Sequence, residues 1–354
     1  MSESLAAGAA GAEHRFRPLL SWVRSRDAVF LGVLLALVLV ASIALPRFAS
    51  PVTAGYLLLN AVPVLLIALP MTLIIVTGEI DLSVASMVGL SAATVGSITL
   101  AGGEFGVAAL TALVVGVLAG ALNGVLIAYL GLPSLAVTIG TLALYRGLAL
   151  VLIGDSSVSA SQHPAAATAF INSKLGATGV PVVMIVVVLL ISAFAVVLHL
   201  TPFGRGVYAL GYSRDAATFV GVKVARAKFW LFVTSGLVAS IVGIFWALYY
   251  SARSDSATGL ELTVIAAVLL GGVSIFGGRG SVIGAITGVL VISVVNYALR
   301  LQRVPDVVLI IITGTLLIVS VVAPSALAAI RRRRDSSRAH HERPRATARE
   351  TTGA

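Results

Sequence analysis

Cysteine is absent from all 354 residues. Disulfides, thiolate metal sites and redox dithiols are thereby excluded, and the compartment must be read from charge instead. Charge is itself scarce. Asp, Glu, Lys and Arg make up 11% of the chain and hydrophobic residues 58%, whereas a soluble domain carries about a quarter charged residues. So little polar surface cannot cover an exterior that faces water, so the solvent is lipid. Catalytic signatures are missing too. There is no G-x-x-x-x-G-K-[ST] phosphate loop, no H-E-x-x-H and no nucleophile elbow. The Gly-rich run Gly277-Gly-Arg-Gly-Ser-Val-Ile-Gly lacks the lysine and has one residue too many for a dinucleotide fingerprint; it reads as a tight loop between helices. The chain is expected not to be an enzyme and to bind no metal or cofactor of its own.

What fills the sequence is apolar. Ten stretches, near 29–45, 56–76, 82–100, 106–130, 133–153, 181–200, 229–250, 262–276, 281–299 and 305–323, are each long enough or nearly long enough to cross a bilayer. The expected fold is an all-α polytopic membrane protein of ten helices. It divides into an N-terminal cytoplasmic segment (1–27), a membrane domain (28–325) and a basic tail (326–354) expected to be disordered. The first apolar run exceeds the 7–15-residue core of a signal peptide, so it reads as a retained helix. The eighth is short, and is expected to extend outward, to tilt little, or to be a partial helix against a cavity.

The formal charge of +10 has a topological reading. With both termini inside, 18 of the 24 Lys and Arg are cytoplasmic: four before the first helix, five between the sixth and seventh, Arg279, and eight from Arg331 to Arg349. The opposite orientation reverses that ratio, against the positive-inside rule. The tail's charge therefore needs neither nucleic acid nor anionic lipid to explain it.

Three motifs recur in order. Asp81-Leu-Ser-Val resembles Glu261-Leu-Thr-Val, Gly120-Ala-Leu-Asn-Gly-Val resembles Gly284-Ala-Ile-Thr-Gly-Val, and Ile139-Gly-Thr-Leu resembles Thr313-Gly-Thr-Leu. Five crossings separate each pair, which predicts two halves of opposite orientation, a 5+5 inverted repeat of the kind that builds transporters. Gly116, Gly120 and Gly124, and likewise Gly280, Gly284 and Gly288, are spaced by four. Each set reads as a helix-packing stripe, within the subunit or between subunits.

Ionisable groups within the apolar stretches are few, which weighs against an ion-coupled carrier. Asp81 precedes the third helix and reads as its cap. Arg146 either snorkels outward or contacts substrate. Asn60, Ser83, Ser86, Asn123, Thr138 and Asn296 are the polar candidates for lining a pathway. In the cytoplasmic loop 201–228, Ser213 reads as an N-cap, Asp215 sits in the first turn and Gly221 ends a short helix carrying Ala216, Ala217, Phe219 and Val220. Such a helix suits a groove on a partner.

Four stretches together resemble the membrane subunits of bacterial ABC importers for monosaccharides, the ribose-type permease family. They are Thr77-Gly-Glu-Ile-Asp-Leu-Ser-Val-Ala-Ser, Gly131-Leu-Pro-Ser-Leu-Ala-Val-Thr-Ile-Gly-Thr-Leu-Ala-Leu-Tyr-Arg-Gly, Gly204-Arg-Gly-Val-Tyr-Ala-Leu-Gly with Asp215-Ala-Ala-Thr-Phe-Val-Gly-Val, and Ile265-Ala-Ala-Val-Leu-Leu-Gly-Gly-Val-Ser-Ile-Phe-Gly-Gly-Arg-Gly. They span about Leu57 to Ser320 in the family's order. The resemblance implies a multi-pass subunit of the bacterial inner membrane that works by alternating access. Its implied partners are a second permease, identical or homologous, a cytosolic ATPase that carries the ATP and Mg, and an extracytoplasmic sugar-binding protein docking near 154–180 and 251–260. Gly204, Arg205, Gly211, Asp215, Ala216, Ala217 and Gly221 match the family's ATPase-coupling segment. Glu79 departs from it, standing where the family commonly has Gly. Ala68-Leu-Pro-Met-Thr-Leu-Ile-Ile-Val-Thr-Gly and Tyr250-Ser-Ala-Arg-Ser-Asp look more like the autoinducer-2 and rhamnose branch than ribose. A branched-chain amino-acid ABC permease and an ATP-independent carrier are the alternatives.

Overall fold

The computed structural model describes residues 26–219 and 221–322. The basic tail, most of the N-terminal segment and Val220 lie outside the described residues. Helices dominate: α1 (Arg26–Ala44), α2 (Pro51–Val76), α3 (Val84–Leu100), α4 (Phe105–Gly124, continued by a π-turn to Tyr129), α5 (Ser134–Ile153), the short α6 (Ala165–Asn172), α7 (Val183–Leu200), α8 (Pro202–Tyr212), α9 (Arg214–Phe219), α10 (Val224–Tyr249), α11 (Leu260–Leu270), α12 (Val282–Leu301) and α13 (Asp306–Val322). A two-residue β-bridge pairs β1 (Val158–Ser159) with β2 (Ser251–Ala252). Seven helices are long and apolar enough to cross a membrane; α3, α11 and α13 are shorter apolar helices. The result is the all-α polytopic membrane protein expected from the sequence.

Helix limits follow local chemistry. Ser50 caps α2, accepting from the Thr53 N–H at 3.2 Å, with Pro51 in the first turn, where its missing N–H costs nothing. Ser281 caps α12 in the same way, accepting from Gly284 N–H at 2.9 Å. That cap corrects one expectation: Gly280 precedes the helix and is not on its stripe. At φ 149° it occupies backbone space that favours glycine. The eighth apolar stretch also changes shape. Its helix, α11, stops at Leu270, about 16 Å long at 1.5 Å per residue. Residues 271–281 complete the passage as irregular backbone, which membrane depth tolerates only where protein surrounds it. Here Ser274 N–H donates to Arg279 C=O and Gly278 N–H to Val76 C=O.

The centre is built by α2 and α10, the two most buried spans, which pack on each other. Around them the partners exchange: α10 packs on α3 and α4, and α2 on α11 and α12. Lipid gives no hydrophobic drive for helices to associate, so close approach matters. A Cβ on Gly120 would lie 2.3 Å from Phe232 C=O, and one on Gly116 2.5 Å from Gly236 C=O. Gly124 faces Phe229 in the same way. Gly284 and Gly288 meet Gly271 and Ala267 at 2.3 and 2.1 Å. Both stripes are therefore filled within the subunit.

Candidate functional site: a two-helix platform, a buried polar network and tethered loops

Connections gather at two ends of the bundle. At one, the chain leaves α7 through Thr201, whose hydroxyl accepts from Gly204 N–H at 3.3 Å, and enters α8 through Pro202. Sequence reasoning missed α8 as a helix, although Thr-Pro at its start is a cap followed by a pre-set first turn. Gly204 is buried against α7; a Cβ there would lie 1.9 Å from Leu198 C=O. Arg205 is exposed. Gly211, at the end of α8, presses into the junction of two loops: its Cβ position lies 1.9 Å from Val76 C=O and 2.3 Å from Gly278 N. Tyr208 donates to Gly280 C=O at 2.5 Å, and the Tyr212 ring covers Gly278. The predicted short helix follows as α9. Ser213 Oγ accepts from Ala216 N–H at 3.2 Å, Asp215 stands exposed in the first turn, Ala217 is buried, and Gly221 at φ 85° closes the segment. Ala216 is exposed, and Phe219 beyond it is 91% exposed.

Deeper in the bundle, turn 77–83 carries two carboxylates bound to α10. Glu79 pairs with Lys228, the two side chains being only 17% and 11% exposed. Asp81 is fully buried and, contrary to the expectation, is not the cap of α3: Ser83 holds the N-cap position. One of its oxygens accepts from Ser83 N–H at 3.0 Å and Ser83 Oγ at 2.6 Å; the other accepts from Ser235 Oγ at 2.9 Å. Asn123 Nδ2 donates to Ser83 Oγ at 2.8 Å, and Tyr145 donates to Ala119 C=O at 2.8 Å, with Asn123 Oδ1 at 3.3 Å. Ser86 donates to Ser83 C=O; Thr138 donates to Ser134 C=O at 2.8 Å and reaches Ile80 C=O at 3.4 Å. Of the six polar pathway candidates, Ser83 and Asn123 thus join Asp81, Tyr145 and Ser235 in one buried network linking turn 77–83 with α4, α5 and α10, while Thr138 touches the turn at Ile80 and Ser86 bonds within its own helix start. Their bonds are made to protein groups. Such bonds between membrane helices contribute about 0.6–2 kcal/mol each.

The other two candidates stand at the opposite end. Asn60 Nδ2 donates to Tyr56 C=O at 2.7 Å, and its Oδ1 accepts from the Tyr250 hydroxyl at 2.9 Å. Asn296 is partly buried and its side chain has no hydrogen-bond partner among the described residues. Nearby connections are tied down. Arg146 donates to Ser254 and Ser256 C=O at 3.0 and 2.7 Å, clamping the 250–259 loop to α5. Gly55 and Pro51 of α2 press on Gly179, and Val158 pairs with Ala252. His163 is buried against Phe105 with Nδ1 3.4 Å from the Thr99 hydroxyl, and burial pushes its pKa down from the ordinary value.

Seven helices long and apolar enough to cross a bilayer, with a two-helix platform at one end and tethered loops at the other, make this a multi-pass membrane protein. The chain belongs to the family described as the branched-chain amino acid transport system / permease component, whose profile matches residues 53–320. Within it, the chain is similar to autoinducer-2 import system permease proteins. The one from Photorhabdus luminescens is 35% identical over 265 residues, 73% of this chain and 79% of the relative. The one from Yersinia pseudotuberculosis (strain YPIII) is 36% identical over the same shares. The resemblance to ribose-type ABC permeases, in the autoinducer-2 branch, therefore holds across most of the chain. No solved structure matches it.

Proposed function

We propose that this chain is the membrane-spanning subunit of an ABC importer that carries autoinducer-2, rhamnose or a similar small polyhydroxylated solute by alternating access. The observation that carries the reading is the α8–α9 platform. Tyr212 and Phe219 stand exposed there, while Gly211 beneath them contacts both buried loops. A cytosolic ATPase, holding ATP and Mg, docks on this platform; Arg205, Asp215 and Ala216 lie on its exposed side. A second permease subunit, identical or homologous, completes the pathway, and a binding protein delivers solute to the 154–180 and 251–260 loops. Docking drives transport only if the partners bind the two permease conformations with different affinity.

The family's description also covers amino-acid permeases, but the similar proteins named above are autoinducer-2 permeases, which favours a sugar-like solute. Gentle purification of the tagged chain from its host, followed by mass spectrometry, tests the assembly: a stoichiometric ATPase is expected. Phe219→Glu is expected to release that ATPase while the permease still inserts. A chain that purifies alone under several mild conditions, and whose uptake stops when the proton gradient is collapsed at constant ATP, is an ATP-independent carrier instead.

A further inference from the structure

Three cations, Lys223, Arg226 and Lys228, gather where the α8–α9 platform gives way to α10. Lys228 is buried and held by Glu79. Lys223 and Arg226 are exposed and have no ion-pair partner among the described residues. Nothing on their own helix offsets them either, since α10 contains no Asp or Glu.

Beside these cations lies an aromatic patch. The π-turn that prolongs α4 packs on α10 and brings Tyr129 to Phe229, with ring centroids 5.6 Å apart; Phe229 in turn lies 5.5 Å from Trp230. Tyr129 is 57% exposed and Trp230 55%. Leu130 and Leu132, just past Tyr129, are exposed as well. Most of α10 is buried, but it surfaces at Arg226, Trp230 and Leu237, which are spaced by four and seven residues and so share one face. That face is basic at the platform end and apolar further into the span.

A belt of Tyr and Trp alone sits at headgroup level beside any phospholipid. Two unpaired cations add a demand for a phosphate with no ammonium of its own. A soluble partner meets only the head of this face, whereas a phospholipid follows it into the bilayer. We propose that Lys223, Arg226, Trp230 and Tyr129 form a binding site for an anionic phospholipid, with its headgroup on the two cations and its acyl chains along the Trp230–Leu237 face. The lipid belongs to the leaflet on the platform's side and anchors the head of α10. This site does not depend on the importer reading.

The test uses the full chain in phosphatidylcholine liposomes, with Trp22→Phe/Trp246→Phe leaving Trp230 as the one tryptophan. Brominated lipids quench a tryptophan they touch. At low salt, phosphatidylglycerol is expected to be preferred over phosphatidylcholine at Trp230 by about thirtyfold, the effect of two basic residues near an anionic charge. In Lys223→Gln/Arg226→Gln the preference should fall to within about twofold of unity. Lys174→Gln/Arg303→Gln removes two cations at the opposite end of the bundle and should leave it unchanged. Equal quenching by the two lipids overturns the site, as does a preference that survives Lys223→Gln/Arg226→Gln. Absence of quenching by either lipid shows that protein covers this face and also overturns it. Inorganic phosphate that competes the preference away at constant ionic strength assigns the cations to a soluble anion and overturns the lipid.

Discussion

Glu79, the point at which the sequence departs from the resemblance, has its counterpart in Lys228 of α10, in a pair whose side chains are mostly shielded from water. Removing one member of a buried pair leaves the other charge uncompensated, at a cost of about 3–5 kcal/mol, whereas removing both is often nearly neutral. Glu79→Gly alone is therefore expected to lower the thermal unfolding midpoint in detergent by several degrees. The double variant Glu79→Gly/Lys228→Met should recover most of that loss. Equal midpoints for the single and double variants would show that the pair contributes no coupling. Asp81 is bound differently, by hydroxyls and one N–H alone, and Ser235 is seven residues beyond Lys228. Seven residues are two helical turns, so both carboxylates of turn 77–83 hold the same face of α10. Proximity to the start of α3 suggested Asp81 as a helix cap, but Ser83 holds that position and Asp81 binds it. Its partner Ser235 is 154 residues away, and nothing local points to it.

Helices of this chain are held together mainly by close approach. The α4–α10 contact shows it best, with Gly116 and Gly120 facing Gly236 and Phe232. A Cβ at Gly120 would fall 2.3 Å from a backbone oxygen, and backbone cannot rotate away as a side chain can. Gly120→Val is thus expected to push the helices apart and to reduce the yield of folded protein on size exclusion. Gly106→Val, on the same helix but with open space around it, should be tolerated. Equal yields would show that the contact can relax. Four-residue spacing made the α4 stripe legible in the sequence. The same spacing misled at Gly280, because the Ser281 cap starts α12 one residue later. Spacing also could not say whether a stripe meets its own subunit or another. The short eighth stretch was legible as an anomaly; only the fold shows that loop 271–281 finishes the passage.

Across the whole molecule, the platform, the buried loops and the central helices form one connected path. Gly211 touches Val76 and Gly278, turn 77–83 binds α10 twice, and α10 begins directly after α9. These contacts lead us to expect that a displacement of the platform would act on α2, α3 and α10 together. Gly211→Val is expected to separate platform from loops, lowering uptake at least tenfold while ATP hydrolysis by the complex persists. Retained uptake would show that coupling bypasses this contact. The exchange of partners around α2 and α10 ties the N-terminal helices to the C-terminal ones. Composition and apolar run length alone determined the lipid environment, the helical class and the seven long spans, because a bilayer imposes its thickness and its demand for internal hydrogen bonds on each segment separately. The tertiary structure alone decided which polar groups bond to each other and which stay open. Ser83 and Asn123 look no different from Asn296 in sequence. Burial beside a partner depends on contacts between segments tens to hundreds of residues apart, and a local pattern does not encode them.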